Sequence, residues 1–253
     1  MAPLHRWYPF IEAYSPQFVH EIFHRFAPDA RRVFDPFAGI GTTPLAASAR
    51  GLKVYYSEIN PLMQFLIDAK VRALSLGTKQ RSRTSKDLAS LAGDVRERLS
   101  ACEPDASLDV AFSRTFGSSA FFSEGTYRQV LQARTLIDRL ACDDPLVARF
   151  ATVAALASLV PSSLLRKAGD LRFRTQRELA DVRQFAEAWS EQLHLVSEDL
   201  AEVESLASTP RLVAQDAKNL EKLPRMDIDT VVTSPPYLNG TNYFRNTKVE
   251  LWF

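Results

Sequence analysis

The sequence predicts an α/β fold whose sheet is interrupted by a large helical insertion, and three observations lead there. Between residues 31 and 75, short β-branched and aromatic runs alternate with helical spacing in the order strand, turn, helix, strand, helix. At Thr78 the alternation stops, and the chain keeps helical spacing to about Thr209. Two more strand-like runs then follow, Arg211 to Gln215 and Asp227 to Thr233. A chain of 253 residues with 46% hydrophobic content suits one large α/β domain, or a core with an insertion.

The first helix is announced by Ser15 as cap and Pro16 at the first position, with Val19, Ile22, Phe23 and Phe26 at helical spacing for packing on the sheet. Arg31 to Asp35 reads as the first strand and Pro36 to Gly41 as the turn after it. A helix runs from Thr42 or Thr43 to about Arg50. Glycines at 39 and 41 let the backbone approach a ligand, because no Cβ stands in the way, and the helix start offers unpaired N–H groups. Pro44 occupies the place of the third glycine in the dinucleotide fingerprint, and no G-K-[ST] follows, so neither that motif nor a phosphate-cradling P-loop is present. Leu52 to Ser57 forms a second strand closing on Glu58, where a carboxylate can accept from ribose hydroxyls. Pro61 opens a helix with Leu62, Phe65, Leu66, Ala69 and Leu74 inward.

Within the insertion, Tyr127, Val130, Leu131, Ile137 and Leu140 mark one helix, and Asp144-Pro145 to Pro161 brackets the next. Val182, Trp189, Val196 and Val203 recur every seven residues, as do Ala186, Leu193, Leu200 and Ala207. That seam predicts a long helix packed within the chain rather than a dimer zipper. Between these helices lies a basic loop with Arg166, Lys167, Arg172, Phe173 and Arg174. Cations beside an aromatic fit a phosphate-backbone contact, although a solvated charged loop has the same letters.

Composition excludes several classes. No run of eighteen apolar residues and no charged-then-apolar leader are present, which predicts a soluble, cytoplasmic protein without a membrane span. Two cysteines and four histidines without ligand spacing predict no disulfide framework and no structural metal. A net charge of +1 means that any nucleic-acid contact rests on local patches.

Thr230-Val231-Val232-Thr233 runs into Ser234-Pro235-Pro236-Tyr237, a strand that stops at a rigid corner. Two prolines leave the Ser234 and Pro235 carbonyls free to accept, and Tyr237 adds a flat face, a combination suited to an aminated heterocycle. Together with Asp35-Pro36-Phe37-Ala38-Gly39-Ile40-Gly41-Thr42-Thr43, this corner resembles the amino-group DNA methyltransferases that use S-adenosylmethionine. The resemblance covers roughly the first 75 and last 45 residues. It implies a Rossmann-like doubly wound sheet with residues 1–77 and 210–253 as core and 78–209 as insertion. It further implies a cofactor site of Asp35, Pro36, Phe37, Ala38, Gly39, Gly41, Thr42 and Thr43, joined by Glu58 and Ile59 after the second strand. Asp216, after the third, meets the adenine amine, Asp35 receives the methionine ammonium, and the segment before the first strand lines the methionine end.

The implied reaction is methyl transfer to an exocyclic amine of a base flipped out of double-stranded DNA, with Ser234, Pro235, Pro236 and Tyr237 as the catalytic corner. Serine at the first corner position points to cytosine N4, with adenine N6 in DNA or RNA as the alternative. Only four core strands are countable where the family has seven, so the sequence predicts a truncated sheet. That leaves open an inactive fragment or half of a split enzyme that binds only cofactor or DNA, and partners such as a complementing chain or a cognate restriction endonuclease.

Overall fold

The computed structural model describes residues 3–222, 225–236 and 243–253. In chain order its first elements are α1 (Pro16–Phe26), β1 (Arg32–Asp35), α2 (Thr42–Ala49), β2 (Lys53–Ser57) and α3 (Pro61–Ser75). Helices α4 (Thr78–Ser100), α5 (Ala106–Phe116), α6 (Glu124–Asp143) and α7 (Pro145–Leu159) follow, then strands β3 (Leu165–Ala168) and β4 (Asp170–Phe173). The chain continues through α8 (Phe185–Glu202), β5 (Arg211–Ala214), β6 (Thr230–Val231), α9 (Tyr243–Asn246) and α10 (Lys248–Trp252). Two compact units result, Met1–Gly77 with Val203–Gly240 and Thr78–Glu202 with Thr241–Phe253.

The first unit holds a four-stranded sheet in the order β5-β2-β1-β6. All of its pairings are parallel. The order runs outward from β1 through β2 to β5, then returns to the other side of β1 for β6, so its direction reverses between β1 and β6. Val33 lies opposite Val54 and Thr230, and Phe34 opposite Tyr55 and Val231. Val19 and Phe23 of α1, with Ala46 and Ala47 of α2, bury Val33 and Val54. Ser15 caps α1 by accepting from the Phe18 N–H at 3.1 Å, and Asn60 caps α3 by accepting from the Leu62 N–H at 3.0 Å. Phe26, expected inward, is 74% exposed, because it is the last residue of α1 and Ala27 already leaves the helix.

The fourth core strand is shorter than the expected 227–233. Asp227 has φ +49°, which breaks the extended run before β6, and Pro235 and Pro236 have no N–H to continue a ladder beyond it. Strand pairing nonetheless extends past β6, since the Val232 N–H donates to the Phe34 carbonyl at 3.3 Å. Residues 203–209, expected in the insertion, belong to the sheet unit, where the Ser208 N–H donates to the Ser48 carbonyl at 3.3 Å.

In the second unit the heptad seam finds its partner in α4. Ser85 and Ser197 exchange hydroxyl-to-carbonyl bonds of 2.9 and 2.8 Å, and Ser190 donates to the Ala92 carbonyl at 2.7 Å, so α4 and α8 run antiparallel. Ala186, Trp189, Leu193, Val196 and Leu200 are buried, whereas Val182 precedes α8 and Val203 and Ala207 follow it. α7 is buried along most of its length, with Arg149 as its one charged residue, and Trp189 Nε1 donates to its Ala151 carbonyl at 3.0 Å.

The expected basic loop is an antiparallel hairpin, β3 paired with β4 around Gly169 at φ +79°. Its closing contact comes from α9: Asn246 Oδ1 accepts from the Leu171 N–H at 2.8 Å, and Asn246 Nδ2 donates to the Gly169 carbonyl at 2.9 Å. Residues 243–253 thus pack with the helical unit rather than with the core, where the sequence put them. Among the described residues no helix is long and apolar enough to cross a membrane, and no cluster of His, Cys, Asp or Glu could hold a metal ion.

Candidate functional site

At the carboxyl ends of β1 and β6, where the strand order reverses, the two distant sequence motifs meet. Ligands of open parallel sheets bind at such a reversal. Thr233, one residue before the corner, donates its hydroxyl to Asp35 Oδ1 at 2.7 Å across a separation of 198 residues. The Phe37 N–H donates to the same oxygen at 3.1 Å. Asp35 Oδ2 is buried and has no partner among the described residues. Burial pushes the Asp35 carboxyl above its ordinary range, opposed by donors from Thr233, Phe37 and Thr43.

The turn after β1 is built on two left-handed glycines, Gly39 at φ +53° and Gly41 at φ +86°. The Gly41 N–H donates to the Ala38 carbonyl at 2.8 Å, and the Ala38 N–H donates to the Ser57 carbonyl at 3.1 Å. Ser57 Oγ in turn donates to the Pro36 carbonyl at 2.6 Å, which joins the turn to the end of β2. Phe37 is partly exposed, while Ala38, Thr42 and Thr43 are buried. Thr42 Oγ1 is a buried hydroxyl with no partner, and the N–H groups of Ile40, Thr42 and Thr43 have no acceptor among the described residues. Buried donors and acceptors are nearly always satisfied, so a cluster of orphans marks a surface shaped for a polar ligand.

Glu58, expected at the ribose, faces this turn. Its Oε2 accepts from the Gly39 N–H and its Oε1 from the Asn60 N–H, both at 2.8 Å. Burial pushes Glu58 up, with the Asn60 and Gly39 N–H groups opposing and the Asp35 charge adding to the rise. Each carboxylate oxygen keeps a further lone-pair direction for hydroxyl donors. Ile59 is 53% exposed beside it. Asp216 is half-buried, and its Oδ1 accepts from the Lys218 N–H at 2.9 Å, which caps the short 3-10 helix of residues 217–222.

At the corner, Ser234 is half-buried and Pro235 and Pro236 are exposed. The Ser234 and Pro235 carbonyls accept no hydrogen bond among the described residues. Tyr237 lies outside the described residues.

Two neighbours have no assigned role in the sequence reading. Tyr14 bonds Thr43 Oγ1 through its hydroxyl, and burial together with the Asp35 charge pushes it up to about 12. Lys70 of α3 is fully buried and donates to the Ile40 carbonyl at 2.8 Å. A cation within the apolar Leu66, Ala69, Leu74 face of α3 was the available signal for Lys70; nothing local marked Tyr14.

The four basic residues assigned to DNA each have partners within their own unit. Arg166 pairs with Glu178 at 3.1 Å and Asp181 at 3.6 Å, and Lys167 pairs with the buried Glu250 at 2.8 Å. Arg172 forms two 2.8 Å bonds to the Glu178 carboxylate, and Arg174 donates to the Ser163 carbonyl at 3.0 Å. The segment's charge is offset locally, because a hairpin followed by a Glu178 turn brings acids back over it.

No family model matches the chain, and no solved structure matches it. Among curated proteins it is 25% identical over 271 residues to the Type II methyltransferase M.AvaI of Nostoc sp., covering 98% of this chain and 53% of that protein. It is 23% identical over 285 residues to the Type II methyltransferase M.BsoBI of Geobacillus stearothermophilus, covering 98% and 52% respectively. The Type II methyltransferase M.MvaI of Kocuria varians is 30% identical over 96 residues, 37% of this chain and 20% of that protein. The chain spans about half the length of the relatives it matches end to end.

Proposed function

We propose that this chain forms the cofactor and acceptor site of a DNA methyltransferase that transfers a methyl group from S-adenosylmethionine to an exocyclic amine, with cytosine N4 as the target atom. The observation that supports it most directly is the Thr233 to Asp35 bond, which ties the corner to the glycine turn. Similarity to Type II methyltransferases over 98% of the chain supports the same reaction class.

The residues present fit the cofactor. Asp35 Oδ2, a buried acceptor without a partner, suits an ammonium, and the remaining lone pairs of Glu58 suit ribose hydroxyls. Thr42 Oγ1 and the Ile40 N–H supply further polar contacts along the turn. Bound there, the cofactor supplies an electrophilic methyl group on a sulfonium. Asp216 is left for the adenine amine through its second carboxylate oxygen.

The chain's own contribution is positioning and electrostatics. An exocyclic amine is a weak nucleophile because its lone pair is delocalised into the ring. The Ser234 and Pro235 carbonyl oxygens accept hydrogen bonds from its N–H groups and favour a more tetrahedral nitrogen with the lone pair released. The proline rings hold those carbonyls in fixed directions. A base inside a duplex cannot reach the corner, so the nucleotide is taken out of the stack and held flat, the role we assign to Tyr237. The corner motif itself contains no cysteine, so it offers no thiolate for a covalent route.

The test is nucleoside mass spectrometry on DNA from cells that lack N4-methylcytosine and express this chain, beside a Pro235→Ala control. Calorimetric titration of the purified chain with S-adenosylmethionine accompanies it. N4-methylcytosine that disappears in the control is the expected result. N6-methyladenine would retain the mechanism and overturn the base assignment. No modified base and no cofactor binding would refute the reading.

A further inference from the structure

Lys70 has no counter-ion among the described residues, although it is 0% exposed and lies on α3 between buried Ile67 and Ala73. Fully buried lysines are rare unless paired, and burying an ammonium alone is costly, so a methionine of the same reach would be the more stable choice. What the amine adds is a single bond of 2.8 Å to the Ile40 carbonyl. Ile40 stands between the left-handed Gly39 and Gly41. A turn with two glycines has the widest choice of backbone conformations, so something must select one. α3 does this with two residues of one face. Lys70 holds the Ile40 oxygen, and one turn earlier Ile67 packs so closely that a Cβ on Gly41 would lie 2.7 Å from its Cγ1.

We propose that Lys70 is a positioning residue for the cofactor: from behind the turn it fixes the Ile40 carbonyl, and so holds the Gly39 to Thr43 backbone in the one conformation that presents its unpaired donors to the ligand. This rests on the reading of that turn as the S-adenosylmethionine site. The bond does not depend on charge, because a neutral amine still donates. Burial pushes Lys70 down to about 7, and His5, the nearby base, is pushed down to about 4 by burial, Lys70 and His20. Neither is therefore obliged to be cationic under the turn.

The experiment is calorimetric titration of wild type and Lys70→Met with S-adenosylmethionine, with thermal unfolding alongside. Methionine keeps the stem and removes only the donor. Expected is a stoichiometry near that of wild type with a dissociation constant raised about tenfold or more, the cost of ordering the turn at each binding event. A merely structural role would lower the melting temperature and the stoichiometry while leaving the dissociation constant of the folded fraction unchanged, and that result overturns the proposal. If wild type itself binds no S-adenosylmethionine, the cofactor reading has failed. If wild type binds and Lys70→Met binds equally well, only the role of Lys70 has failed. Should Lys70→Met not fold, lysine 13Cε NMR of wild type decides. The Lys70 signal, assigned as the one missing from Lys70→Arg, must shift on saturation with cofactor, and a stationary signal overturns the proposal.

Discussion

Gly41→Ala should be among the most damaging single changes in the sheet unit, although it adds one methyl group. Gly41 has φ +86° and ψ 25°, a left-handed conformation that costs an L-residue roughly 1–2 kcal/mol. The added Cβ would sit 2.7 Å from Ile67 Cγ1 and 3.4 Å from its Cδ1. Ile67 is fully buried and cannot swing aside, so overpacking adds roughly 1–3 kcal/mol. Together the loss is about 2–5 kcal/mol, read as a lower urea midpoint by circular dichroism. Ile67→Ala removes both clashing atoms, so in a double-mutant cycle the clash portion should be recovered and the backbone portion should remain. A Gly41→Ala protein within about 0.5 kcal/mol of wild type, or strictly additive behaviour of the pair, would refute the account of the turn.

Thr233→Val removes a donor from the buried Asp35 carboxylate and should cost about 1–3 kcal/mol in urea unfolding, with a matching loss of cofactor affinity; an unchanged midpoint would show that the bond is dispensable. Lys70 sets a pH dependence. The unfolded chain holds the proton to 10.5 and the folded chain releases it near 7, so between those values unfolding takes up a proton and becomes harder as pH rises. From pH 7.5 to 9.5, wild type should gain on Lys70→Met by about 2–3 kcal/mol, and a flat difference would contradict the buried, unpaired state. Arg166→Ala with Arg172→Ala should leave the salt dependence of DNA binding unchanged, because both side chains already pair with Glu178; a slope reduced by about two would restore this hairpin as a phosphate contact.

The helix starts at Pro16 and Pro61 in the sheet unit, and at Pro145 in the helical unit, were readable because each has a local chemical mark: Ser15, Asn60 and Asp144 cap these helices, and a proline occupies each first turn. That Gly39, Gly41 and Glu58 are neighbours was readable because the turn needs glycine and the end of β2 places a carboxylate against it. The hairpin at 165–173 was not. Its strands are four residues each, and what completes it is Asn246, a contact 75 residues away that no local pattern encodes. The partners of the basic cluster were unreadable for the same reason, since Glu178 and Glu250 come from other elements. Heptad spacing located the α8 seam but overran its ends, since the repeat continues in letters where the helix does not.

Neither unit is continuous in sequence, and this governs when each can form during synthesis. Asp229 accepts from the Arg31 and Arg32 N–H groups across 198 and 197 positions, and Asn246 and Glu250 close on the hairpin across 75 and 83. The ribosome delivers α4 to α8 well before the residues that complete the β3–β4 hairpin, and β1 and β2 emerge long before the neighbour that fills the other side of β1. Contacts of such separation form late and slowly. The α4–α8 pairing therefore becomes the early scaffold of its unit, while the acceptor corner takes shape only when β6 has left the exit tunnel. Until then Asp35 and the glycine turn lack their Thr233 partner, and the bond that joins the two motifs waits on the 198 positions between them.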